Sequence, residues 1–131
     1  MIGGHVLKTW SRGQSLLALS SAEAELYGAV KTTSELLGLM SVLKEWGHSV
    51  SGIVRADASA ALGIISRRGL GKVRHLDTNH LWIQEVSAKR RVKFEKVDGE
   101  SNCTDLMTKA MDLKTLLKHM AALNIIIETT E

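Results

Sequence analysis

The longest hydrophobic pattern in the chain has the period of a helix and covers residues 22–46. Apolar side chains recur there every three or four residues, so that they fall on one face of a helix. Ser20 and Ser21 precede the pattern as N-cap candidates, and Gly47 follows it as a candidate C-terminal cap. The stripe consists of Leu26, Val30, Thr33, Leu37, Met40 and Lys44, with Ala29, Leu36 and Leu43 beside it. The pattern predicts a helix over 22–46.

Shorter patterns predict strands and helices in the rest of the chain. Val92 and Phe94 alternate with charged residues, which is typical of a strand with one buried face. Ile53 and Val54 lie at the centre of a second short apolar segment. In chain order the predicted elements are a β-hairpin over 3–19, the helix 22–46, a strand 50–56, helices 58–68 and 76–88, a strand 92–97, helices 104–111 and 113–123, and a terminal strand or tail at 124–128.

This order of elements predicts an α/β fold in which a mixed sheet is flanked by helices. The 131 residues are enough for one ordinary domain. Aromatic residues make up only 4% of the chain, so the core must be aliphatic. If the strands at 50–56 and 92–97 are parallel neighbours, their carboxyl ends lie at the same edge of the sheet, where open α/β sheets usually bind ligands.

The composition of the chain excludes some classes of protein but does not indicate a function. A hydrophobic content of 44% excludes a disordered chain, and a net charge of +3 is compatible with nucleic acid without indicating it alone. The single cysteine, Cys103, excludes an internal disulfide framework and fits a reducing compartment. No apolar run is long enough to span a membrane, and residues 1–9 do not resemble a signal peptide. We therefore expect an intracellular protein, cytoplasmic or nuclear.

A cluster of basic residues surrounds a glycine-containing loop at 69–72. The cluster consists of Arg67, Arg68, Lys72, Arg74 and His75. Such a run is either a solvated surface or a contact surface for nucleic-acid phosphates, and the residues alone leave both interpretations open.

Three acidic residues fall near the ends of predicted elements. Glu25 lies at the start of a helix, Asp57 directly follows a strand, and Asp105 comes shortly after the last strand. Carboxylates brought together repel one another unless a cation lies between them. Carboxylate oxygens are the ligands that Mg²⁺ and Mn²⁺ prefer.

The same acids also have ordinary structural explanations. Ser20 and Glu23 match a capping box, which leaves Glu25 as either a solvated first-turn charge or part of a site. Asp57 occupies a strand-to-helix junction, where aspartate is common as an N-cap. Both alternatives stay open from the local pattern alone.

Four motifs occur in an order that resembles one known family. They are Leu17-Ala-Leu-Ser-Ser-Ala-Glu-Ala-Glu-Leu-Tyr27, Ala56-Asp-Ala-Ser-Ala-Ala-Leu62, Arg74-His-Leu-Asp-Thr-Asn-His-Leu-Trp-Ile-Gln-Glu85 and Asn102-Cys-Thr-Asp-Leu-Met-Thr-Lys109. Together they are similar to the ribonuclease H domain at the end of the polyprotein of Ty1/copia-type retrotransposons. The resemblance predicts a ribonuclease H-like domain over 1–111, with a C-terminal helix and tail over 112–131.

The resemblance implies a fold, an activity and a site. The family sheet is mixed, five-stranded and covered by helices on both sides, and the activity is Mg²⁺-dependent (or Mn²⁺-dependent) cleavage of the RNA strand of RNA–DNA hybrids. By position, Glu25, Asp57 and Asp105 are similar to catalytic and metal-binding acids of the family. The basic cluster then contacts the hybrid, and the reverse transcriptase portion of the same polyprotein is an expected partner. The third motif also contains His80, with a role in local structure or substrate contact.

One family feature is missing from the chain. The family has a further Asp on the first strand of its sheet, whereas this chain has no Asp or Glu before Glu23. We therefore expect a sheet without its first strand and impaired hydrolysis. The alternative is a catalytically inactive, transposon-derived module that binds nucleic acid or another partner. The edge left by a missing strand predicts self-association.

Overall fold

A computed structural model of the chain describes residues 1–11, 13, 18, 20–69 and 78–126. The chain divides into two compact units. One is formed by Met1–Gly13 and Asp98–Glu131, and the other by Gln14–Val97. The two units are described separately below, and the predicted division at 111 and 112 stays a prediction.

The larger unit contains three helices and two strands. In chain order these are α1 (Ser21–Glu45), β1 (Gly52–Ala56), α2 (Ser59–Ser66), α3 (Thr78–Ala88) and β2 (Val92–Lys96). Each lies within two residues of the element predicted from the hydrophobic pattern, except that residues 76 and 77 are outside the described ranges. The periodicity of the side chains therefore identified both the type and the place of these elements.

The two strands pair in parallel, which confirms that 50–56 and 92–97 are parallel neighbours. The register runs from Gly52 opposite Val92 to Ala56 opposite Lys96. In the described residues the sheet has these two strands, flanked by helices as an α/β fold requires; the mixed ribonuclease H-like sheet stays a prediction. On β1, Gly52 and Val54 are buried while Ile53 is exposed, which shows that one face of the strand carries the packing.

The core lies between this sheet and the three helices. A first group of buried side chains comes from the helices and consists of Leu26, Ala29, Ala61, Ile65 and Ile83. A second group joins the strands to α3 and consists of Val54, Val86 and Val92. The core is aliphatic, as the shortage of aromatic residues predicts, with Trp82 and Phe94 packed against both groups.

Most of the predicted return strand and turn of the hairpin over 3–19 lies outside the described residues, and a separate tight turn occurs at the start of the chain. Gly3 and Gly4 have φ angles of +55° and +83° and form a two-residue turn. Ile2 and His5 close this turn with two backbone hydrogen bonds of 2.9 Å. Residues 6–10 form no strand. The predicted return segment at 16–19 lies outside the described residues except for residue 18.

The smaller unit contains two 3₁₀ helices, Gly99–Ser101 and Cys103–Met107, and the helix α4 (Leu113–Ala122). The helix predicted at 104–111 is therefore a short 3₁₀ helix, whereas α4 matches the prediction of 113–123. Asn102 starts the second 3₁₀ helix, and its side chain accepts hydrogen bonds from the Thr104 amide (3.3 Å) and hydroxyl (2.8 Å). Residues 124–126 form no strand, and the rest of the predicted terminal segment lies outside the described ranges.

No helix in the described ranges combines the length and the apolar character that a membrane span requires.

Candidate functional site

The start of α1 places two glutamates in opposite environments. Ser20 is the N-cap, and its hydroxyl oxygen accepts a hydrogen bond from the Glu23 amide at 3.2 Å, which confirms the serine half of the predicted capping box. Glu23 is only 5% exposed, whereas Glu25 is exposed. Residues two apart on a helix point about 200° from each other, so burying one of these carboxylates turns the other towards solvent.

Glu23 belongs to a buried polar cluster between α1 and α3. The Tyr27 hydroxyl donates a hydrogen bond to the Glu23 carboxylate at 3.3 Å. The Tyr27 ring lies against the ring of His80, with 4.9 Å between the ring centroids. His80 is fully buried on α3. Sequence reasoning gave Glu23 a capping role only, although Glu23 and Tyr27 lie four residues apart next to the apolar stripe.

Asp57 lies at the carboxyl end of β1 and is half-buried. The N-cap of α2 is Ala58, which has no side-chain oxygen and makes no capping hydrogen bond. The Ala58 carbonyl accepts the first hydrogen bond of the helix, from the Leu62 amide at 3.2 Å. Asp57 lies one residue before this N-cap, at the sheet edge at which α/β folds bind ligands.

Asp105 lies in the second 3₁₀ helix, in the smaller unit. Its carboxylate pairs with the Lys109 ammonium at 2.9 Å, and its side chain is 18% exposed while that of Lys109 is 61% exposed. A pair this accessible contributes little to stability because water solvates both charges.

The three acids predicted as metal ligands are Glu25, Asp57 and Asp105. In the part of the chain that the structure describes, no group of three or more His, Cys, Asp or Glu side chains could hold a metal ion. Glu25 and Asp57 belong to one unit and Asp105 to the other. Carboxylate oxygens are the ligands that Mg²⁺ and Mn²⁺ prefer. The assignment of these acids as ligands stays a prediction.

The basic cluster is described only at its beginning. Arg67 is the C-cap of α2 and is half-buried, and Arg68 is exposed. The other predicted members lie outside the described residues, namely Lys72, Arg74 and His75. A second group of basic residues follows α3, where Arg90 and Arg91 are exposed and Arg90 has a positive φ of 52°.

The chain is similar to the retrovirus-related Pol polyprotein from transposon TNT 1-94 of Nicotiana tabacum, with 29% identity over 111 residues. This similarity supports a transposon-derived origin. The match covers 82% of the present chain but only 8% of that polyprotein, so the activities of the whole polyprotein do not transfer by similarity alone. No family model matches the chain, and no solved structure matches it.

Proposed function

We propose that the chain derives from the ribonuclease H portion of a retrotransposon polyprotein and acts on RNA–DNA hybrids, with impaired hydrolysis of the RNA strand. Two findings support the proposal. The similarity to a Pol polyprotein extends over 82% of the chain, and the four motifs resemble the ribonuclease H domain of Ty1/copia-type elements in order.

The observation that carries the proposal is the position of Asp57. This acid directly follows β1, which pairs in parallel with β2. Open α/β sheets usually bind their ligands at this edge, so the place of Asp57 in the fold supports a site there. Glu25 and Asp105 are the partners that we propose for Asp57 in holding Mg²⁺ or Mn²⁺.

Basic residues supply the proposed contact with the nucleic acid. Arg67 and Arg68 begin the cluster, and Lys72, Arg74 and His75 continue it in the sequence. Neutralising phosphates in this way releases counterions, so affinity falls with added salt. The 2′-hydroxyls and the shape of the minor groove distinguish the hybrid from duplex DNA. The reverse transcriptase portion of the same polyprotein is the protein partner that we propose.

A second candidate function is binding of nucleic acid without hydrolysis. It is favoured by the exposed arginines Arg68, Arg90 and Arg91, which can contact phosphates without a metal ion. Such a module keeps the basic cluster and its salt-dependent affinity but has no use for the carboxylates as ligands.

A cleavage assay separates these candidates. The substrate is an RNA–DNA hybrid labelled on the RNA strand and incubated with Mg²⁺, and the proteins are the unmodified chain, Asp57→Asn and the matched control Asp98→Asn. Asp98 is exposed and makes no capping hydrogen bond, so its replacement removes the same charge after the neighbouring strand. We expect slow cleavage by the unmodified chain and Asp98→Asn, and none by Asp57→Asn.

Equal residual cleavage by all three proteins would contradict the role of Asp57. Salt-sensitive binding of the hybrid without cleavage by any of them would favour the binding module.

A further inference from the structure

Gln84 on α3 ties together two parts of the chain that lie far from it in sequence. Its side-chain amide donates hydrogen bonds to the carbonyls of Ile64 (2.9 Å) and Gly69 (3.1 Å). Its side-chain oxygen accepts a hydrogen bond from the Gly69 amide at 3.0 Å. Gln84 is only 6% exposed, so these hydrogen bonds are shielded from competition with water.

The two anchored residues enclose the start of the basic cluster. Ile64 lies in the last turn of α2, and Gly69 lies two residues beyond the C-cap. Gly69 has a φ of +78°, a left-handed conformation that glycine adopts at little cost. Arg67 and Arg68 lie between the two anchors. Their backbone is therefore held at both sides by one buried side chain on another helix.

We propose that Gln84 is a positioning residue for nucleic-acid binding, which holds Arg67 and Arg68 in the arrangement that contacts phosphates. This inference rests on the proposed function. Fixing a binding segment before the ligand arrives lowers the conformational entropy that binding must otherwise overcome. Both arginines are then in place at the same time, so more phosphates are neutralised together.

The test measures binding of a fluorescein-labelled RNA–DNA hybrid by anisotropy over a range of salt concentrations. Gln84→Met keeps the length of the side chain and removes all three hydrogen bonds. Gly69→Ala loosens the same anchor from the other side, because alanine is strained at a φ of +78°. Thr33→Ala is the matched control, since Thr33 is fully buried on α1 and its hydroxyl donates to the Ala29 carbonyl at 2.7 Å.

We expect Gln84→Met and Gly69→Ala to weaken binding about fivefold or more, because the two arginines must then be ordered as the hybrid binds. Their plots of log affinity against log salt should be less steep, because fewer phosphates are contacted. Trypsin should also cleave after Arg67 and Arg68 faster in Gln84→Met. Thr33→Ala should lose stability but keep the affinity, the salt slope and the cleavage rate of the unmodified chain.

The possible failures are distinguishable. If the unmodified chain binds the hybrid and Gln84→Met has the same affinity and salt slope, the positioning role is wrong and the proposed function stands. If the unmodified chain does not bind the hybrid, both proposals are overturned. A loss of affinity in Thr33→Ala as large as that in Gln84→Met would also overturn the positioning role, because stability alone would then explain the effect.

Discussion

The carboxylates of Glu23 and Glu25 are chemically identical but differ in what surrounds them. Glu23 is enclosed beside Tyr27 and His80, while Glu25 is exposed to solvent. Removing a buried acceptor leaves its donor without a hydrogen bond. When an exposed carboxylate is removed, water takes its place. Glu23 therefore stabilises the contact between α1 and α3, and Glu25 remains available for a ligand.

Alanine replacements should separate the two roles. We expect Glu23→Ala to lower the free energy of unfolding by about 1–3 kcal/mol, because the Tyr27 hydroxyl loses its acceptor. Glu25→Ala should change it by less than about 0.5 kcal/mol, as is usual for exposed positions. Urea unfolding at neutral pH measures the free energy of unfolding of both variants. Equal destabilisation by the two variants would show that burial does not distinguish these glutamates.

For single residues, the sequence predicts hydrogen bonds within one helical turn better than contacts with residues that are distant in the sequence. The hydrogen bond from the Glu23 amide to Ser20 was predictable because both residues lie in one helical turn. The contact between the Tyr27 and His80 rings was not, because His80 lies on α3 and comes next to α1 only in the folded chain. The same reason applies to Gln84, whose hydrogen bonds reach 15 and 20 residues along the chain.

Among the elements, α1 and β1 make an unusually close contact at Gly52. A Cβ atom built there would lie 2.8 Å from the sulfur of Met40 and 2.9 Å from a methyl carbon of Leu36. The absence of a side chain at Gly52 thus allows the helix to approach the strand. Glycine is needed at this position because of the close packing and not because of its backbone conformation.

Two glycine-to-alanine variants test this contact. Gly52→Ala should lower the free energy of unfolding by about 1–3 kcal/mol, since an extra methyl group in a tight interior forces its neighbours to move. Gly63→Ala is the control, because open space surrounds this position on α2 and alanine favours a helix by up to about 1 kcal/mol. Chemical denaturation of both variants gives the comparison. A neutral or stabilising Gly52→Ala would contradict the packing described here.

The exposed face of the sheet carries a pH-dependent contribution. The pKa of the Glu95 carboxyl is lowered from its ordinary value of 4.5, mainly by hydrogen bonds from Lys93 and then Arg55. A lowered pKa in the folded state means that the ionised carboxylate stabilises the fold above pH 4.5. This contribution disappears as the pH falls through the lowered pKa.

Glu95→Gln should therefore be slightly less stable than the unmodified chain at neutral pH, and the difference should vanish well below pH 4.5. Concentrated salt at neutral pH should also reduce the difference, because it screens the accessible pairs of Glu95 with Arg55 and Lys93. Thermal unfolding at several pH values measures the effect. If the difference in stability between Glu95→Gln and the unmodified chain grew in acid, the stabilising role of the ionised Glu95 carboxylate would be wrong.

Helices and strands can be predicted from the sequence only where the segment is long enough to show its period. Long periodic segments such as α1 were predictable because many side chains report the same period. The segment from Cys103 to Met107 carries too few side chains to distinguish a 3₁₀ helix from an α-helix, and there the side chain of Asn102 determines the local geometry. The turn at Gly3 and Gly4 has the positive φ angles of a two-residue hairpin, which the Gly-Gly pair itself could have indicated.

For the whole molecule, the parallel pair β1 and β2 is the feature that connects sequence, fold and proposed function. Its existence was predictable from two apolar segments, and its parallel direction from the helices between them. The assembly of Glu25, Asp57 and Asp105 into one site stays a prediction, because Asp105 belongs to a different compact unit. Periodicity specifies elements, whereas the position of one unit relative to another depends on contacts that no local pattern reports.

We also predict that copies of the chain associate with one another through the edges of the sheet. In the described part of the chain each strand of the sheet has a single partner, so backbone groups along the outer edges are available to another chain. We expect size-exclusion chromatography to show dimers or larger species that increase with concentration. Ile53→Lys should reduce them, because Ile53 on β1 is 46% exposed and an edge lysine opposes strand pairing. A monomer at all concentrations would contradict the prediction.

The central claim is that this chain recognises RNA–DNA hybrids, and a direct comparison of affinities tests it best. Dissociation constants are measured for a hybrid and for a DNA duplex of the same sequence, at the same salt concentration. The 2′-hydroxyls and minor-groove shape of the hybrid predict tighter binding to the hybrid, while both affinities fall as salt is added. Equal affinities for the two duplexes, or no binding to either, would contradict the account.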